Sequence, residues 1–292
     1  MADLSALPPA IGIIGGSGLY DIDGFSDREE IEMNTPFGPP SDKIIGGTLA
    51  GRRVFFLPRH AKGHRILPTE LNHRANIWAL RSLNVRWIIA VTAVGSLKEE
   101  YQPRDVVLPD QFFDRTSRRE HHTFFGKGIV AHVSFADPIS TGLRTLLAKE
   151  SRAAGARVHN GGTYVCMDGP AFSTRAESHA NRQLGFDIIG MTNLPEAKLA
   201  REAEIALATI ALVTDYDCWK VEEEPVSVDA VIGHLTANVA LAKQIVAKVI
   251  PRIPTEPNWP EHKALQHALM TDRSVWPVET VAALQPILER FI

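Results

Sequence analysis

The sequence predicts an α/β fold built on a mostly parallel sheet, and three observations carry that prediction. Apolar runs of strand length recur, among them AIGIIG, RWIIAV and IALATIALV. Segments with apolar residues at helical spacing, such as NHRANIWALRSL, separate those runs. The runs also end repeatedly in Gly, Ser, Thr, Asp, Arg or His. In an open α/β sheet those strand ends form the edge at which ligands bind.

Taken in order, AIGIIGGSGL is a strand feeding a glycine turn, and RRVFFLPRH is a strand that ends on a basic pair. NHRANIWALRSL is a helix. RWIIAVTAVGSL is a strand followed by a turn of small residues, and DVVLPDQF is a short strand. The helix STGLRTLLAKESRAAG separates these from GGTYVCMDGP, a further strand. FDIIGMTNLPE is a strand that runs into the helix PEAKLAREAE. EIALATIALVTDYD is the longest apolar strand, and VDAVIGHLTANVALAKQIVAKVI is a helix. From about residue 251 the chain is rich in Pro, Trp and His and reads as an irregular or helical extension.

The 292 residues are 45% hydrophobic and 22% charged, which suits one large α/β domain or two small ones. A net charge of −3 marks no surface for a polyanion, so nucleic acid is not an expected partner. MADLSALPPA has neither a basic segment nor an apolar core of the signal-peptide kind, and no apolar run reaches transmembrane length. The expectation is a soluble cytoplasmic protein that binds no membrane. Two cysteines, Cys166 and Cys218, fit a reducing compartment, and their pairing stays open.

Each motif has an ordinary explanation when taken alone. Gly12, Gly15, Gly16 and Gly18 miss the GxGxxG spacing of a dinucleotide site and read as a tight turn, although Ser17 and the turn N–H groups could meet an anion. PRHAKGH places Arg59 and His60 at a strand end, where they suit a phosphate or form a solvated basic loop. VTAVGSL offers Thr92, Ala93 and Ser96, which also suit close helix–sheet packing. In MDGPAFSTRAE and GMTNLPEA, Phe172, Arg175, Glu177, Met191, Thr192 and Glu196 read as an ion-paired loop and core. Asp215 and Asp217 form a DxD, yet no further acid or His follows at ligand spacing, so no metal is expected. No Walker A, HExxH or GxSxG pattern is present. Two carboxylates at the end of an apolar strand nevertheless need a reason, because a buried charge costs several kcal/mol unless something pairs with it.

Read together, IGIIGGSGL, TPFGPPSD, RHAKGH, NHRANIWAL, TAVGSL, DQFFDRT, MDGPAFSTRAES, GMTNLPEAKLAREA and TDYDCW resemble the trimeric purine nucleoside phosphorylases, and within them the methylthioadenosine phosphorylase branch. The resemblance spans roughly residues 11–250. It implies a single α/β domain with a central, mixed and distorted sheet flanked by helices. The expected assembly is a homotrimer, or a dimer of trimers. Phosphate would sit among Ser17, Arg59, His60, Thr92, Ala93 and Thr192. Ile189 and Met191 would lie against the nucleoside, and Phe172, Asp215 and Asp217 would hold the purine. His132 would reach a neighbouring subunit's site near the nucleoside 5′ end. Val228, Val231 and Trp276 would line the pocket for the 5′ substituent. Two departures stand out: Gly190 replaces an Asn of the animal-type enzymes, and Trp276 replaces a Leu.

The implied chemistry agrees with the residues. Phosphorolysis of an N-glycosidic bond needs an anion site on one face of the ribose and a group that stabilises the departing base. Ionised carboxylates accept hydrogen bonds, so two acids complement the N6 donor and protonated N7 of adenine, whereas a 6-oxopurine would prefer an amide. The expected activity is phosphorolysis of methylthioadenosine, with phosphate as co-substrate and no metal or organic cofactor. The rivals are a phosphorylase of 6-oxopurine nucleosides or methylthioinosine, a nucleotide-binding dehydrogenase and a non-catalytic nucleoside binder. Which acid carries the proton is left open.

Overall fold

Three strands whose faces are both buried form the centre of the molecule: β1 (Ala10–Gly15), β5 (Val85–Ser96) and β11 (Ala206–Asp215). Near-continuous apolar sequence is what strands covered by helices on both faces require. In the computed structural model, which describes residues 7–16, 18–19, 21–117, 119–220 and 228–292 and only the backbone of 228–236, β5 runs parallel to β1 on one side and to β11 on the other.

β5 outlasts β1. Its pairing with β1 ends at Ala90, and its far end takes β10 (Ile188–Gly190) as an antiparallel neighbour through Ile189↔Gly95 and Ile188↔Ser96. The sheet therefore splits around the end of β5. The stretch VTAVGS, expected as a turn, is strand instead, because β11 still pairs with it up to Gly95.

β4 (Arg52–Pro58) lies parallel to β1 on its other side, and β3 (Ile44–Leu49) and β2 (Ser26–Ile31) extend that wing antiparallel. β9 (Thr163–Met167) follows β10, and β7 (Gln111–Arg115) follows β9, both in parallel. β6 (Val106–Leu108) pairs antiparallel with β11 and parallel with β8 (Val158–Asn160). Among the described residues the sheet has eleven strands, and its pairing is mixed, with six parallel and four antiparallel strand pairs. β2 and β3 escaped sequence reading for physical reasons. SDREEI is an almost wholly exposed edge strand whose charges guard its free edge. IIGGTL carries Gly46 and Gly47, and a Cβ at Gly47 would strike the Phe25 ring.

Helices α1 (His73–Ser82), α2 (Thr141–Ala153), α4 (Asn193–Glu202) and α5 (Val228–Val249) match the periodic segments. MDGPAFSTRAE, read as a loop, runs into a further helix, α3 (Arg175–Gln183). Its Glu177 does not pair with Arg175. It closes a capping box with Thr174, accepting from the Thr174 N–H at 2.8 Å while Thr174 accepts from the Glu177 N–H.

The C-terminal segment folds back over the core rather than extending from it. Leu265, Leu284 and Leu288 join the main apolar cluster, Trp78 Nε1 donates to Ala283 O at 2.8 Å, and Arg290 pairs with the buried Glu204. Two short helices, α6 (Val278–Ala283) and α7 (Gln285–Leu288), complete it. No helix among the described residues is long and apolar enough to cross a membrane. Cys166 and Cys218 are free thiols.

Candidate functional site

The ends of β1, β4, β5, β10 and β11 carry the expected site residues, and the split in the sheet opens the space between them. Pairing keeps Gly15 opposite Pro58, and the chain leaving β4 is pinned back by Arg59 N donating to Gly15 O at 2.9 Å. Arg59 thereby points inward and is only 3% exposed.

Its guanidinium is already engaged. Nη2 donates to Glu196 Oε2 at 2.9 Å, Nε to Oε1 of the same carboxylate, and Nη1 to Val91 O at 2.9 Å. Asn193 Nδ2 supports Glu196 from α4 at 3.2 Å. Burial works against the Arg59 charge, but the facing Glu196 carboxylate outweighs it and the pKa is raised. Arg59 was expected either to suit a phosphate or to lie in a solvated basic loop. It is instead half of a buried pair, and its remaining N–H groups are what an anion could meet. Glu196, read among the residues of an ion-paired loop and core, does form an ion pair, but with Arg59, a partner that sequence reasoning did not name. The available signal was a glutamate on the inward face of NLPEAKLA.

Three other groups surround this pair. His60 Nδ1 lies 2.8 Å from Ile66 O, and burial holds its pKa near 4. His60 is therefore neutral at neutral pH, with Nδ1–H donating and Nε2 left as an acceptor, suited to a P–OH group. Thr192, 4% exposed, is the N-cap of α4, and its hydroxyl makes no capping bond. The Asn193 and Leu194 N–H groups lie against the buried Cys166 sulfur and Pro195 has no N–H, so what this end of α4 offers an anion is the Thr192 residue itself. Thr92 and Ala93 sit where β5 runs on beyond β1 and stays paired with β11, with Thr92 buried and Ala93 exposed.

The acid pair closes the opposite side. In sequence Asp215 and Asp217 stand two residues apart at the end of an apolar strand, and a turn brings them together. Asp217 has φ 51° and lies in a turn, and its N–H donates to Asp215 Oδ1 at 2.8 Å. Asp215 Oδ2 accepts from Thr214 Oγ1 at 2.6 Å. Both acids converge on Gly95: a Cβ there would lie 3.0 Å from Asp215 Oδ1, 3.1 Å from Ile189 and 3.4 Å from Asp217 Cβ. Asp217 Oδ2 is buried without a well-formed hydrogen bond. Burial raises the Asp217 pKa, against the Ser178 and Ser173 hydroxyls and the Cys218 N–H, which favour the ionised form.

The phosphorylase superfamily pattern matches residues 10–251. The chain belongs to that family. Among its phosphorylase superfamily relatives, the S-methyl-5′-thioadenosine phosphorylase of Geobacter sulfurreducens is 53% identical, over 97% of this chain and 99% of its own length. That of Hyperthermus butylicus is 55% identical over 85% of this chain and 90% of its own. A methylthioadenosine phosphorylase from an antarctic soil metagenomic library superimposes with a TM-score of 0.92 at 48% identity, covering 96% of this chain and 99% of that one. The Schistosoma mansoni methylthioadenosine phosphorylase in complex with adenine gives 0.81 at 36% identity, covering 97% and 98%.

The remaining expected residues divide into three groups. Ile189 is buried beside Gly95, Met191 packs on Gly169, and Phe172 is exposed on the loop before α3. Met191 also lines a cavity of about 330 Å³ with His73, Thr116, His122 and Asp168, which does not include the acid pair. His132 and Trp276 lie on a different part of the surface. His132 N donates to Ala268 O, and Thr271 links the neighbouring Val130 to Trp276 through Val130 N–H to Thr271 Oγ1 and Trp276 Nε1 to Thr271 O. Ser17 and the side chains of Val228 and Val231 lie outside the described residues. No cluster of three or more metal-ligating side chains occurs among the described residues.

Proposed function

We propose that this chain cleaves S-methyl-5′-thioadenosine with phosphate, giving adenine and S-methyl-5-thioribose 1-phosphate. The observation that carries the reading is the convergence of Asp215 and Asp217 on Gly95, on the strand that also carries Thr92, with Thr192 and the buried Arg59–Glu196 pair at the ends of neighbouring strands. The relatives named above bear the same activity in their names.

The chemistry follows from the geometry. A phosphate held by Thr92, Thr192, His60 and the remaining Arg59 N–H groups attacks C1′ of the ribose. The C1′–N9 bond breaks, its electron pair passes to adenine, and a C1′–O bond to phosphate forms. Asp217, with its raised pKa, supplies the proton to N7. Asp215 fixes the turn through the Asp217 N–H and accepts from N6–H. No metal or organic cofactor enters this scheme.

The reading also calls for a second copy. His132 and Trp276 belong to one surface, and that surface exposes Val130, Met270, Val275 and Val278. Apolar side chains gathered in this way favour a contact between copies, and one neighbour would bring both His132 and Trp276 to the 5′ end of the nucleoside. A homotrimer satisfies this arrangement. Phosphate-dependent release of adenine, assayed with methylthioadenosine, adenosine and inosine, tests the proposal. No release, or release without phosphate, rejects it.

A further inference from the structure

Gly190 and Tyr164 occupy one another's space. They lie on adjacent strands, with Ile188 opposite Tyr164 and Gly190 opposite Cys166. A Cβ at position 190 would stand 1.9 Å from the Tyr164 hydroxyl and 2.6 Å from its ring carbon Cζ. Only glycine leaves room for that phenol. Tyr164 is fully buried, and its hydroxyl makes no well-formed hydrogen bond. The polar groups around it are the Cys166 thiol, Thr92, whose side chain is near enough to interact, and Arg59 and Glu196. Thr92 Oγ1 has only a long 3.3 Å contact to Ala93 O. A buried hydroxyl without a partner costs stability, and a phenylalanine would fill the same volume without that cost.

We propose that Tyr164 is a positioning residue of the phosphate site: its O–H donates to Thr92 Oγ1, turning the Thr92 proton toward a phosphate oxygen. Gly190 is the vacancy that admits it. The hydrogen bond to Tyr164 polarises the Thr92 hydroxyl, making it a better donor, as in other chained hydrogen bonds. The inference rests on the assignment of Thr92 to phosphate made above, and it extends that assignment to two residues that never touch the nucleoside.

The test uses the full-length chain and inorganic phosphate. Tyr164→Phe, Thr92→Ala and the double variant are compared by calorimetric titration with phosphate and by kinetics with phosphate or nucleoside varied. Tyr164→Phe is expected to weaken phosphate binding and raise the phosphate KM about 3- to 10-fold, with the nucleoside KM within about 2-fold. Its Tm without phosphate should be equal to or above that of the wild type. The double variant should be no worse than Thr92→Ala, because Tyr164 acts through Thr92. Unchanged phosphate affinity, additive losses, or equal loss for both substrates with a lower Tm would overturn the proposal. Absence of turnover in the wild type would sink the substrate assignment, while the titrations would still decide the role of Tyr164.

Discussion

Arg59 and Glu196 are locked to one another inside the protein, 3% and 1% exposed, with Nη2 and Oε2 2.9 Å apart. The pair ties the end of β4 to the first turn of α4, so the two sides of the anion site hold one geometry. An arginine with its charge matched internally is a rigid donor rather than a free cation.

Removing either partner should therefore damage the fold as well as the activity. Arg59→Ala leaves Glu196 buried and unpaired, a change that costs on the order of 3–5 kcal/mol. Replacing both residues with apolar ones of similar size should recover much of that stability while phosphate-dependent turnover stays lost. Urea denaturation of the single and double variants measures this. A stable Arg59→Ala protein impaired only in phosphate KM would contradict the structural role.

The two acids should not be equivalent. Asp217→Asn removes the group with the raised pKa and should lower kcat/KM for methylthioadenosine about 10²- to 10⁴-fold. Asp215→Asn keeps an oxygen to accept the Asp217 N–H, so its loss should be smaller. An amide donates to a 6-oxo group, and the ratio of methylthioinosine to methylthioadenosine activity should rise in both. Steady-state kinetics on the two nucleosides, with circular dichroism as a check of folding, would show whether selectivity stays at the wild-type value, in which case the acids do not read the base.

Stability should fall on mild acidification. Burial holds His60, His73 and His262 near pKa 4, below the 6.5 expected of the unfolded chain. The unfolded state then binds more protons between pH 6.5 and 4. The stability these residues contribute is fully present above pH 6.5 and is lost as pH falls toward 4. Glu202, raised by burial to about 7, acts with the opposite sign between about 4.5 and 7 and offsets one of the three. Tm measured from pH 7 to pH 4 should drop. Replacing His262, which accepts from Trp259 N–H and donates to Arg86 O, should flatten the slope, and an unchanged slope would remove it from the account.

Activity should depend on assembly. If His132 and Trp276 serve a neighbour's site, activity per chain falls on dilution below the dissociation range of the oligomer. Sedimentation paired with an activity dilution series measures this, and a fully active monomer would reject the shared site.

Much of this protein was determined by sequence alone, because strong local patterns survive folding. The central strands were legible since AIGIIG and IALATIALV are too apolar to sit anywhere but between layers. The helices with periodic apolar faces were legible for the same reason. Tertiary structure decided what local pattern does not encode. SDREEI is a strand only because β3 pairs with it, and VTAVGS continues as strand only because β11 stays alongside. Pairing Arg59 with Glu196 joins residues 137 positions apart in the chain, and no local signal marks such a contact. Asp215 and Asp217 meet through a left-handed residue and a side chain-to-backbone bond, not through strand alternation. Gly190 is glycine because a phenol from the next strand fills the space its side chain would need, a fact of packing that exists only once the strands lie side by side.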